Sequence, residues 1–249
     1  MFRSQYDSDI TTWSPQGRLY QIEFAMEAVK QGSACVGLRS KTHAVLVTLK
    51  RSSGQLASYQ KKIFKIDDHM AIAIAGLTSD ARVLCRYMQT EALNHKYVYE
   101  SPVQVGRLVL RVADKSQKNT QRYGSRPYGV GLLVAGYDQT GAHLYETCPS
   151  GNYFEYKAQA IGARAQSART YLEKKFPEFE DCTLAELIRH GLTALGETIG
   201  SQEEIGLTPE NTSVAIVGEN QSFKLIEGSE LKPYLDSVDE EGQAQTMES

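Results

Sequence analysis

Apolar residues recur at steps of three and four over Leu19, Ile22, Met26 and Val29, which predicts an amphipathic helix over 18–31. Ser14-Pro15-Gln16-Gly17 ahead of it is a turn and helix-entry cluster, and Gly32 stands where a C′ glycine would close it. Two strand pairs follow. Apolar runs at 34–39 and 44–50 flank the polar turn Ser40-Lys41-Thr42, and runs at 63–66 and 70–75 flank Asp67-Asp68. Gly76 ends the second pair, and Thr78 or Ser79 is placed to cap a helix whose buried face is Val83, Leu84, Tyr87 and Met88. A further helix holds Val105, Leu108, Val109 and Val112. Strands at 129–137 and 143–147 then flank Asp138-Gln139-Thr140-Gly141, a hairpin turn, with shorter strand candidates at 153–156 and 158–161. Helices are expected at about 164–176 and 184–199, the second carrying Leu184, Leu187, Ile188, Leu192 and Leu195. A strand pair at 213–217 and 222–226 and a short helix at 231–235 complete the pattern.

Grouped strands joined by tight turns imply antiparallel pairing, and grouped helices must then cover the outer sheet faces. The expected class is α+β: a four-layer αββα sandwich of two antiparallel sheets with an extra N-terminal helix. Doubly wound β-α-β alternation does not fit this order. The body is read as one domain over 1–235. Residues 1–12 are polar, and residues 236–249 are acidic and poor in apolar side chains, which reads as a disordered tail.

Composition narrows the function classes. The chain has 249 residues, 41% hydrophobic and 23% charged, enough to bury a core without staples. Lys+Arg 27 against Asp+Glu 30 gives −3, so a general polycation that binds nucleic acid is excluded. Cys35, Cys85, Cys148 and Cys182 form no C-x-x-C pair and no zinc spacing, so neither a metal nor a disulfide framework is expected, and reduced thiols point to cytoplasm or nucleus. The N-terminus lacks the apolar region of a secretory signal, and the longest apolar run, 129–136, is far too short to span a membrane. Asn211-Thr212-Ser213 fits a glycosylation sequon but reads as a turn leading into a strand.

No nucleotide, metalloprotease or hydrolase-elbow motif is present, so no cofactor is expected. Gly129, Gly131 and Gly136 lie inside an apolar strand rather than at a strand-to-helix turn, and read as sites of close approach between sheets or neighbouring chains. His43, His69, His95, His143 and His190 are scattered, and each reads as structural. Gly32-Ser33 is sharper. A Gly-Ser step opening a strand of such a sandwich is where an N-terminal nucleophile hydrolase cuts itself, freeing an α-amine that serves as base for the adjacent hydroxyl. Lys62 is the candidate for lowering the nucleophile's pKa. Against this, residues 14–32 encode a helix that looks retained, and the position where a carboxylate should support the lysine is Leu49.

The block 6–25, running Tyr6-Asp7-Ser8-Asp9-Ile10-Thr11-Thr12-Trp13-Ser14-Pro15-Gln16-Gly17-Arg18-Leu19-Tyr20-Gln21-Ile22-Glu23-Phe24-Ala25, then Glu27-Ala28-Val29 and Gly32, resembles the N-terminal signature of alpha-type subunits of the 20S proteasome core particle. Gly76-Leu77-Thr78-Ser79-Asp80-Ala81-Arg82 and Arg126-Pro127-Tyr128-Gly129-Val130 resemble further blocks of that family, and the likeness runs over about residues 4–235. Gln121-Arg122-Tyr123-Gly124 and the block 166–173 favour one paralogous branch, sixth in ring order. The resemblance implies an N-terminal nucleophile hydrolase-like fold and a non-catalytic subunit of a seven-member heteromeric outer ring. Its partners would be other alpha subunits, the beta ring that carries the threonine proteases, and the C-terminal tails of regulatory particles. Residues 1–12 would contribute to the axial gate. The matching gate cluster is Tyr6, Asp7, Pro15 and Phe24. Phe24 departs from the family's tyrosine and lacks its hydroxyl, and Ser8 replaces the arginine common after Tyr-Asp. Lys62 matches a lysine that pairs with the carboxylate of activator tails, in a pocket bordered by Leu19 and Gly32. The alternative is a solvated Lys61-Lys62 pair on an exposed strand end.

Overall fold

The computed structural model describes residues 6–52, 54, 56–200 and 206–238. The first five residues of the expected gate segment and 239–249 of the expected tail lie outside them. The elements, in chain order, are α1 (Tyr20–Gln31), β1 (Cys35–Arg39), β2 (His43–Leu49), β3 (Ile63–Asp67), β4 (Met70–Gly76), α2 (Thr78–Tyr99), α3 (Val105–Gln121), β5 (Val130–Asp138), β6 (Gly141–Thr147), β7 (Tyr153–Glu155), β8 (Ala158–Ile161), α4 (Ala165–Phe179), α5 (Leu184–Gly196), β9 (Thr212–Gly218) and β10 (Gln221–Ile226). A short 3-10 turn, Gly228–Glu230, follows, and residues 232–238 are helical.

Two five-stranded sheets form, ordered β10-β9-β2-β1-β8 and β3-β4-β5-β6-β7, with antiparallel pairing throughout. Both faces of the central strands are buried, so they read as unbroken apolar runs; on β4 the period-2 alternation survives in side-chain size. On β4, Ala71, Ala73 and Ala75 face the opposite sheet, while Met70, Ile72 and Ile74 face α2 and α3. On β2, Ala44 and Leu46 point between the sheets, and Val45 and Val47 point towards α4 and α5. The small inner faces let the sheets pack closely, and helices cover both outer faces, as the element order implied.

β7 and β8 are consecutive in the chain yet belong to different sheets. The Tyr156-Lys157 link crosses between them and is pinned by Arg39, whose Nε donates to Tyr156 O (3.0 Å) and whose backbone N donates to Lys157 O (2.9 Å). β8 is an edge strand with its outward backbone already engaged. Ala160 N donates to Gln159 Oε1 (2.9 Å), and Ala160 O accepts from Arg169 Nη1 of α4 (3.0 Å).

Several local expectations are corrected. Gly32 is extended (φ −65°), so it is not a left-handed helix stop; a Cβ there would lie 2.2 Å from Gly76 N. Gly129, Gly131 and Gly136 make room for side chains of Leu77, Val29 of α1 and Val105 of α3 rather than for a sheet or another chain. Neither Thr78 nor Ser79 caps α2; Leu77 holds the N-cap position without a side-chain bond. Val83 is exposed, and Asp80 is buried instead. Met26, expected on the buried stripe of α1, is exposed, and Ala25 is buried there. α4 continues past the expected end through Pro177 to Phe179, and α5 stops at Gly196. Residues 236–238, assigned to the tail, are helical, and Val238 packs on the core. Within the described part of 1–12, Ile10 is 5% exposed, so that segment is not wholly loose.

Asp80 ties the start of α2 to the start of β5. Its carboxylate accepts from Arg126 Nη1 (2.6 Å) and Nη2 (2.7 Å) and from Gly129 N (2.9 Å). The Arg126 hydrogen bonds, with the Gly129 N–H, hold its carboxyl below the usual carboxylate range against the opposing effect of burial. Arg126 is largely exposed, so solvent screens that half of the contact. Asp80→Asn should destabilise the fold by about 1–3 kcal/mol in chemical denaturation. A depressed carboxyl stabilises above the ordinary range and loses that contribution as pH falls through its folded value. The gap between wild type and variant should therefore close below about pH 4.

Candidate functional site

The site starts where α1 runs into β1. Gly32 N donates to Val29 O (3.1 Å), and Gly32 O accepts from Ala163 N (2.7 Å). The link is confined on two further sides. Gly76, with φ +113°, stands where the missing Cβ of Gly32 would point, and a Cβ on Gly162 (φ +95°) would meet Ser33 O at 2.6 Å. This slot holds Ser33 at the mouth of β1, 5% exposed.

Lys62 lies one residue ahead of β3, and its carbonyl accepts from Ile74 N of β4 (3.1 Å). Its amine donates to Ser33 O (2.9 Å) and Ser33 Oγ (2.5 Å). Lys62 is 7% exposed, which overturns the alternative of a solvated Lys61-Lys62 pair; Lys61 is exposed, Lys62 is not. Burial lowers the Lys62 pKa below the ordinary lysine value, opposed by Cys35 and reinforced by Arg51. Among the described residues, no carboxylate contributes to the charges acting on it. Leu49, at the position where one would sit, is a half-buried apolar side chain at the end of β2, its N donating to Ala34 O (3.1 Å). Burial pushes the thiol of Cys35 up, and its Sγ lies 3.0 Å from Ile74 O. Thr48, paired with Cys35 across β1 and β2, carries a buried hydroxyl with no hydrogen-bond partner among the described residues.

The serine–lysine pair foreseen for an N-terminal nucleophile is thus in contact. An α-amine base at Ser33 would require cleavage of the Gly32–Ser33 bond, which lies inside the tightly packed slot. The activator-tail residues are brought together only in part. Gly32 adjoins Ser33, and Leu19 is the half-buried N-cap of α1. Cys148, at the rim of a cavity of about 300 Å³ between α1 and the start of α4, is pushed up to about 12 by burial and Glu146. Among the described residues, no group of three or more His, Cys, Asp or Glu side chains could hold a metal ion, and no helix is long and apolar enough to cross a membrane.

The segment ahead of α1 is fastened by residues that sequence reading passed over. Gln21 Nε2 of α1 donates to Asp7 O, and Arg18 pairs with Glu23. Ser14 is buried: its Oγ accepts from Arg18 N (3.1 Å), and its O accepts from Gly17 N (2.9 Å), closing a turn with Pro15 exposed at its tip. Phe24 is half-exposed and its ring stacks on Tyr20 with centroids 6.4 Å apart. Tyr6 is 37% exposed. At Asp7 the hydrogen bond to the helix therefore comes from Gln21, a neighbour of the hydroxyl-free Phe24. A polar residue one turn into a helix, aimed back at the chain before it, was the available signal.

Residues 29–217 match the family model described as proteasome subunit, and residues 6–28 match the N-terminal signature of A-type proteasome subunits. The chain belongs to the alpha-type proteasome subunit family. It is 64% identical over 241 residues to the alpha type-1 proteasome subunit of Dictyostelium discoideum, covering 97% of each chain. It is 54% identical over 244 residues to a probable alpha type-6 proteasome subunit of Schizosaccharomyces pombe (98% of this chain, 89% of that one). With the alpha type-1 proteasome subunit of Drosophila melanogaster it shares 52% over 236 residues (94% and 85%). The signature match ends inside α1, so the family's distinguishing block is the turn, the helix and the segment they fasten.

A group that favours its neutral form in the fold but not in the unfolded chain makes folding release protons. Stability should therefore rise with pH from the depressed Lys62 value up to the ordinary lysine range near about 10.4. Lys62→Met should flatten that rise in denaturant midpoints. In the wild type, the Lys62 ε-methylene signal should titrate below those of the other lysines; coincident titration would refute the burial effect.

Proposed function

We propose that this chain is a structural and gating subunit of the outer alpha ring of the 20S proteasome core particle, which degrades ubiquitinated proteins, and that it has no active site of its own. One observation carries this reading. The alpha-type signature segment forms a turn and helix that pass without a break through the glycine-lined slot into Ser33, over the place where a self-processed relative would present its nucleophile. The apolar Leu49 and the burial of Ser33 favour a non-catalytic role.

Around that core the reading assigns further roles. Residues 1–12, with Tyr6, Asp7, Pro15 and Phe24, contribute to the axial gate. Lys62, bordered by Leu19 and Gly32, receives the C-terminal carboxylate of a regulatory-particle tail, a charge-assisted contact for a buried amine that has no carboxylate of its own among the described residues. Neighbouring alpha subunits and the beta ring are the partners, and cytoplasm and nucleus the locations.

Intact mass of the subunit from native particles tests the central point: a mature chain beginning at Ser33 would overturn it. Deleting residues 2–9 should raise basal peptide hydrolysis by the assembled particle; an unchanged rate would remove this segment from the gate. Lys62→Ala should leave assembly intact and weaken one activator-tail contact, measured as tail-peptide affinity.

A further inference from the structure

Lys62 does not wait in an open pocket. Two of its amine's donor positions are spent on Ser33, one on the carbonyl and one, at 2.5 Å, on the hydroxyl. Both residues are more than nine-tenths buried. Ser33 has little freedom to follow the lysine elsewhere, because its backbone is clamped by Gly162 and by the Ala163 N–H on Gly32 O. A third donor position remains, but Lys62 is 7% exposed, so a carboxylate that draws the amine outward must break its bonds to Ser33. The lysine's backbone is held by Ile74, so the exchange falls on its flexible side chain.

We propose that the Ser33 hydroxyl is an internal latch for Lys62, holding the amine inside the chain and setting the threshold that a carboxylate-bearing C-terminus must exceed to dock. This rests on the reading of Lys62 as the tail receptor and adds its regulation. Ser33 is then a positioning residue: it touches the lysine, not the docked chain. A latch weakens every carboxylate ligand alike and leaves a ligand without a carboxylate unaffected, because such a ligand does not recruit the amine. It also accounts for a serine-lysine pair that lacks both the free amine and the carboxylate that hydrolysis would use.

The test uses assembled particles carrying the variant subunit. The probes are one synthetic apolar peptide with a photo-reactive residue, ending either in a free carboxylate or in an amide, and the readout is the label captured on this subunit. Ser33→Ala should tighten capture of the carboxylate peptide by up to about tenfold, the weight of one hydrogen bond to a charged group. Capture of the amide peptide should not change, and Ser33→Thr, which restores a hydroxyl, should behave as wild type. If the alanine variant does not assemble, Ser33→Cys, a weaker acceptor, should give a smaller gain in the same direction. Unchanged or weaker capture by the Ser33 variant, while Lys62→Ala reduces the carboxylate peptide to the amide level, would overturn the latch and leave the docking role standing. Wild-type capture by Lys62→Ala would remove the docking role and the latch together.

Discussion

Everything near the candidate site depends on one steric constraint: the peptide leaving α1 passes where no Cβ can stand. Gly32 would place that atom 2.2 Å from the backbone nitrogen of Gly76, and a Cβ on Gly162 would meet Ser33 O at 2.6 Å. Because the link is so confined, the Ala163 N–H reaches Gly32 O at 2.7 Å, and Ser33 is fixed with its hydroxyl against Lys62. A Cβ at Gly32 or Gly162 would run into backbone atoms and force this link to shift. Helix, slot and lysine therefore stand or fall as a unit.

The chemistry of that unit follows from what it leaves out. A serine beside a lysine of lowered pKa is half of a nucleophile, and the leucine at position 49 leaves that lysine without a carboxylate there. A buried amine with no counter-charge is costly to protonate. The fold keeps Lys62 supplied by neutral acceptors, a carbonyl and a hydroxyl of Ser33.

Much of the architecture could be read from the residues, because hairpin turns announce antiparallel pairs. The strands at 44–50, 70–75 and 129–137 shift by only a residue or so in the structure. Long-range pairing was hidden. Nothing local in Tyr156-Lys157 shows that the chain changes sheets there, since Arg39, which pins it, lies more than a hundred residues upstream. Asp80 looked like one more acid in a first helical turn; only its distant partners, Arg126 and Gly129, explain its burial. The glycines of β5 signalled close approach correctly, but sequence does not say which body approaches, and helices do. At the site, Ser33 and Lys62 were both named from the residues. Their pairing was expected too, but the burial of Lys62 was not, because Lys61 beside it is exposed and an adjacent pair looks alike in sequence.

The occupied edge of β8 has a consequence for company. A bare strand edge pairs with almost any extended chain, because main-chain ladders are indifferent to side-chain identity. Here Gln159 and Arg169 already satisfy Ala160, so a neighbour on that flank gains nothing from backbone pairing at this residue and must be chosen by side-chain shape and charge.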